Sequence, residues 1–155
     1  MNQNPEQATL KGLQVVIFSI IAAPAFFAVI VYFLNKDLQV EQSDLTDTLK
    51  RVLPILIVAG IALSYFMEKK WKSKIEALRV GKEKMQAFTS MTIIKYACLE
   101  GPALFSVVCS MLTHDKMYLV VTMALIIVMV MQFPKKEKVR ELLKLNPAEE
   151  KQILG

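Results

Sequence analysis

Residues 96–113, YACLEGPALFSVVCSMLT, form an eighteen-residue run with one ionisable group, Glu100, and a Gly-Pro pair directly behind it. A carboxylate inside hydrocarbon costs roughly 2.5–3.5 kcal/mol on insertion scales, so it normally faces a partner or a water-filled space. Glu100 is therefore the first candidate for an intramembrane polar site.

The rest of the chain explains why this run reads as membrane-embedded. Of 155 residues 54% are apolar, with a mean hydropathy of +0.41. Four runs account for the excess: 13–34, 52–67, 96–113 and 117–133. The first has 22 uncharged residues, enough for a hydrocarbon layer about 30 Å thick. It is longer than the core of a signal peptide and lacks a small-x-small cleavage site after it, so it reads as a retained span. Charged residues flank the shorter runs and can snorkel to the interfaces. Residues 118–131 are apolar all round, which a soluble bundle would not require.

The expected architecture is an all-α membrane protein, a four-helix bundle in a single membrane domain over 1–155. Its transmembrane helices are expected near 12–34, 50–67, 94–113 and 116–133. A cytoplasmic helical hairpin over 68–93 separates spans two and three, and a short helical C-tail covers 134–155. Basic residues set the orientation. Fourteen lie in the N-terminal segment, the hairpin and the tail, against four in the other two connections. This asymmetry predicts cytoplasmic N- and C-termini in a bacterial inner membrane. The net charge of +5 is thus topological, and it points to anionic lipid on the cytoplasmic face rather than to nucleic acid.

A shift of 78 residues lays IAAPAFFAVIVYFLNKD (21–37) over LEGPALFSVVCSMLTHD (99–115). Pro24 meets Pro102, Ala25 meets Ala103, Phe27 meets Phe105, Val29 meets Val107, Leu34 meets Leu112 and Asp37 meets Asp115. The match predicts an internal repeat, a two-helix unit duplicated in parallel orientation. Ala22 stands where the second copy has Glu100.

Trp71, Ile75 and Leu78 share one helical face, and Met85, Phe88 and Thr92 another. A turn around residues 80–82 would pair 78 with 85, 75 with 88 and 71 with 92. The same register places Lys95 opposite Glu68 as an interfacial charge pair. Glu100 then lies about 7 Å deeper, with Ser64, Tyr96, a backbone carbonyl, a proton of its own or a neighbouring subunit to satisfy it. Gly101, Pro102 and Pro24 mark helix breaks, with Pro102 freeing the carbonyl of Cys98. Ala97 with Gly101 and Gly60 with Ser64 are small-xxx-small pairs, expected to pack spans two and three together. Span four is expected to face lipid. In the tail, Pro134 suits a first helical position and residues 146–149 suit the start of a second short helix.

The chemistry of an enzyme is missing from the sequence pattern: it offers no nucleophile triad, no metal-ligand spacing and no glycine-rich phosphate loop. No cofactor is implied. Cys98 and Cys109, about 16 Å apart along a helix, read as packing residues. Residues 99–108, LEGPALFSVV, resemble the ion-binding helix of c-type proteolipid subunits of rotary ATPases. That resemblance implies ion or proton translocation with Glu100 as the binding carboxylate. The Leu-Glu-Gly and following Phe of span three, with a proline-headed tail, also resemble small bacterial four-span membrane proteins of unassigned function. The reading from the residues is a structural or accessory subunit of a membrane complex or homo-oligomer.

Overall fold

The computed structural model describes residues 5–38, 44–78 and 81–143. These form five helices: α1 (Pro5–Leu34), α2 (Asp44–Ala77), α3 (Gly81–Thr113), α4 (Met117–Met131) and α5 (Lys136–Leu143). Three segments are long and apolar enough to cross a membrane, Leu10–Leu34, Thr46–Ala77 and Glu83–Thr113. The apolar α4 has 15 residues, about 22 Å of helix, less than a hydrocarbon core about 30 Å thick.

The hairpin expected over 68–93 is built from the ends of α2 and α3, which run through that region without interruption. Its closing residues 79 and 80 lie outside the described residues. Ile75, Met85 and Phe88 are buried in one cluster, with Trp71 packed against it. At the other end of α3 the chain reverses in three residues. His114 takes a left-handed backbone conformation (φ 56°), the usual way to leave a helix, and histidine is among the residues that tolerate it. Asp115 Oδ1 then accepts from the Met117 amide at 2.9 Å, a side-chain turn that leads into α4.

The helix α3 is the hub, and it packs against α1, α2 and α4. Asn35 at the end of α1 meets Ser110 at the end of α3, while Ala28 and Val31 cluster with Val107, so α1 and α3 run in the same direction. The helix α2 is peripheral: 17% of its apolar window is buried, against 28% for α1 and 39% for α3. The arrangement is thus a packet of α1, α3 and α4 with α2 laid on the outside of α3, rather than a closed four-helix bundle.

The expectation that the fourth apolar segment faces lipid is corrected. Tyr118, Leu119, Thr122, Leu125, Ile126 and Met129 are buried, and hydroxyls stitch α4 to α3. Ser106 Oγ donates to the Tyr118 carbonyl at 2.7 Å, and Thr122 Oγ1 lies 3.4 Å from the Ala103 carbonyl. Such bonds are available only where helices meet, which gives an otherwise uniform apolar helix an inner face.

The tail helix starts at Lys136, two residues later than Pro134 suggests, and docks by Val139 and Leu143, both fully buried. They join Leu10 and Leu13 of α1 and the hairpin residues in the largest apolar cluster. Gln14 Nε2 donates to the Pro134 carbonyl at 3.0 Å, and Lys84 Nζ to the Leu143 carbonyl at 3.4 Å. The second tail helix expected near 146–149 falls outside the described residues.

Candidate functional site

Helix geometry decides what Glu100 can touch. Gly60 of α2 packs directly on α3. A methyl group at Gly60 would stand 2.5 Å from the Cys98 carbonyl oxygen and 3.0 Å from Pro102 Cγ. Cys98 and Pro102 therefore face α2. Glu100 is two residues from each, about 200° around the helix at 100° per residue, and points to the other side. Ser64, one turn on from Gly60 and buried, lies on the α2 side with them. It is not a partner for Glu100.

Tyr96 is one turn before Glu100, but its hydroxyl is engaged elsewhere. Tyr96 is 1% exposed, and its Oη donates to the Met129 carbonyl at 3.0 Å, tying α3 to α4. Among the described residues no hydrogen bond or ion pair reaches Glu100, which is half-buried. Of the three residues grouped as one polar site in the sequence, Glu100, Ser64 and Tyr96, each faces a different neighbourhood.

The small-residue pairs divide in the same way. Gly60 and Ser64 are buried against α3. Ala97 and Gly101 are exposed, and a methyl group at Gly101 would meet nothing within 4 Å. The expected packing of Ala97 and Gly101 on α2 is overturned, because Cys98 and Pro102 take that role. Val108 continues the open strip, at 48% exposure. Glu100 stands at the edge of an open face of small residues that no other part of the described chain covers.

Pro102 explains why Gly60 is needed. As a proline inside α3 it leaves the Cys98 carbonyl without a helical donor. The Gly60 hydrogen that replaces a Cβ points at that oxygen, a C–H···O contact in place of the lost bond. Pro24 in α1 is fully buried, and the expected breaks at Pro24 and at Gly101–Pro102 do not occur, since α1 and α3 run on as single helices through them.

A second polar group sits five residues before Glu100. Lys95 Nζ donates to Glu68 Oε2 across the α2–α3 seam, with the lysine side chain 14% exposed and the glutamate 33%. The pair lies where the apolar stretches of both helices end. Beside it a cleft of about 30 Å³ is walled by α2, α3, the segment after α4, and α5. Sequence reasoning found the pair but missed the cleft, which depends on where the tail docks. It also missed Asn35, 2% exposed, whose Nδ2 donates to the Ser110 carbonyl at 2.7 Å and whose Oδ1 faces His114 Nδ1 at 3.2 Å. Since Oδ1 can only accept, that histidine nitrogen carries the proton. Among the described residues no group of three or more His, Cys, Asp or Glu could hold a metal ion, and both cysteines are free.

Comparison of the chain with protein-family models, with curated proteins and with solved structures finds no match.

Proposed function

We infer that this chain is a four-span inner-membrane protein with cytoplasmic termini, acting as a structural or accessory subunit of a membrane complex or a homo-oligomer. The observation that carries this reading is Glu100, without a partner in the described chain, beside the open face of Ala97 and Gly101. In lipid, helices associate through close backbone approach at small residues and through interhelical hydrogen bonds, because apolar side chains gain little by leaving lipid tails. A face with small residues and one costly carboxyl has both elements. A second transmembrane helix laid on it would cover the small residues and satisfy Glu100. The peripheral, mostly exposed α2 supports the same reading, since a lone helix on the rim adds surface for neighbours.

The α4 helix is short for a span, but Lys116 before it and Lys135 after it can snorkel to the interfaces. The parallel course of α1 and α3 supports a duplicated two-helix unit in which one copy carries the carboxylate. The exposed lysines that follow Glu68 suit an anionic cytoplasmic leaflet.

Proteolipid-like translocation remains the alternative on the strength of the same unpaired carboxyl. Two experiments separate them. If Glu100 is an interhelical contact that needs its charge, Glu100→Gln reduces assembly in mild detergent. If it carries an ion, Glu100→Gln assembles normally, and wild-type Glu100 reacts with a carbodiimide in a manner blocked by sodium or raised pH.

A further inference from the structure

The cleft beside the Glu68–Lys95 pair has a chemistry of its own. Its polar lining is Glu68, Thr92, Lys95, Tyr96 and Gln132. Lys95 is the more enclosed member of the pair and spends its charge on Glu68 Oε2, whereas the carboxylate is a third exposed. Gln132, another wall of the cleft, has its Oε1 buried with no hydrogen-bond donor. An orphaned buried acceptor costs about 1–3 kcal/mol, so a donor delivered there is favoured. The remaining walls include Phe88, Met91 and Leu142, which suit methylene groups. A volume of about 30 Å³ admits roughly two water-sized groups at 10–15 Å³ each.

A primary ammonium and its adjoining methylene meet these requirements: three N–H donors for Glu68 and Gln132, and carbon for the apolar walls. The source of that ammonium follows from position. The cleft lies at the cytoplasmic ends of the apolar stretches, where headgroups sit under the four-span reading. Exposed Lys72, one turn on from Glu68 on the same face of α2, and neighbouring Lys69 suit a phosphate just outside the mouth. We propose that the cleft between α2, α3 and the docked tail binds the headgroup of an ethanolamine phospholipid, ammonium inward and phosphate toward the lysines.

The test uses the full chain in mild detergent, with native mass spectrometry of lipid retained after exposure to phosphatidylethanolamine, phosphatidylcholine or phosphatidylglycerol. Phosphatidylcholine has the same phosphate but no N–H donor. The expected result is retention of the ethanolamine lipid about tenfold over the choline lipid, since one hydrogen bond to a charged group is worth about one decade. Gln132→Leu should lower the preference several-fold, because only Glu68 is then left to accept, and Gln132→Glu, which keeps the acceptor, should preserve it. Equal retention of the two zwitterionic lipids, preference for phosphatidylglycerol, or a preference unchanged by Gln132→Leu in a folded chain would overturn the proposal. Because neither variant touches the Glu100 face, loss of lipid preference with unchanged assembly separates this site from the assembly reading.

Discussion

Gly60 of α2 rests against the carbonyl oxygen of Cys98 that Pro102 strips of its helical donor. The proline creates the unsatisfied acceptor, and the glycine lets a neighbouring helix come close enough to cover it. Lipid offers that oxygen no hydrogen bond, so the two residues depend on each other.

Gly60→Ala should therefore destabilise the α2–α3 seam. The new methyl group would sit 2.5 Å from the backbone oxygen, a separation that forces the helices apart. Overpacking of this kind costs about 1–3 kcal/mol. Gly101→Ala places its methyl in open space and should leave the fold unchanged or gain about 0.5–1 kcal/mol from helix propensity. Thermal or denaturant unfolding in detergent checks the contrast, and a Gly60→Ala chain as stable as wild type would remove the packing account.

Tyr96→Phe should cost little, about 0.6 kcal/mol, the average for interhelical side-chain bonds in membrane proteins. The Met129 carbonyl keeps a backbone donor, from the Gln132 amide at 3.1 Å. Since the Tyr96 hydroxyl points to α4, the variant should also leave the carbodiimide reactivity of Glu100 unchanged. A large change in that reactivity would place Tyr96 beside the carboxyl after all.

Breaking the Glu68–Lys95 pair tests the seam at its membrane boundary. Both side chains keep some exposure, so solvent screens the pair and a double-mutant cycle should give a coupling of about 1 kcal/mol. Lys95→Ala and Glu68→Ala should fall short of additivity by that amount. Full additivity would mean that the contact adds nothing to stability.

Leu143→Ala removes a side chain that is 1% exposed in the largest apolar cluster. Deleting a buried leucine costs about 2–5 kcal/mol, but a terminal helix can undock before the rest unfolds. The expected outcome is faster amide exchange over α5 and the hairpin ends of α2 and α3, with the α1–α4 contacts unaffected. Exchange that rises evenly over all helices would show the tail to be part of the cooperative core.

The sequence made the helices legible, because long apolar runs with charged flanks leave few alternatives. The Glu68–Lys95 contact and the clustering of Trp71, Ile75, Met85 and Phe88 were legible too, since these apolar residues alternate with lysines and glutamates that must face water. The faces of the membrane segments were not legible. There the outward side is as apolar as the inward side, and periodicity loses its meaning. On α3 both Ala97–Gly101 and Cys98–Pro102 are small enough to meet α2, and only the packing shows that the second pair does. Similarly, α4 carries almost no polar pattern, and its inner face is set by Thr122 and by hydroxyls on α3. Asn35 lay hidden in a loop-like NKD stretch, although a lone amide at a helix end is a fair signal for an interhelical bond.

The open face of Ala97 and Gly101, with Glu100 at its edge, is proposed as an assembly surface. Its most direct test is the mass of the particle extracted in mild detergent from native membranes, for wild type and for Gly101→Leu. The expected wild-type particle has a protein mass, bound detergent excluded, above that of one 17.5 kDa chain, and the Gly101→Leu chain should melt normally but run alone. A wild-type particle of one chain, or a Gly101→Leu assembly of unchanged mass, would contradict it.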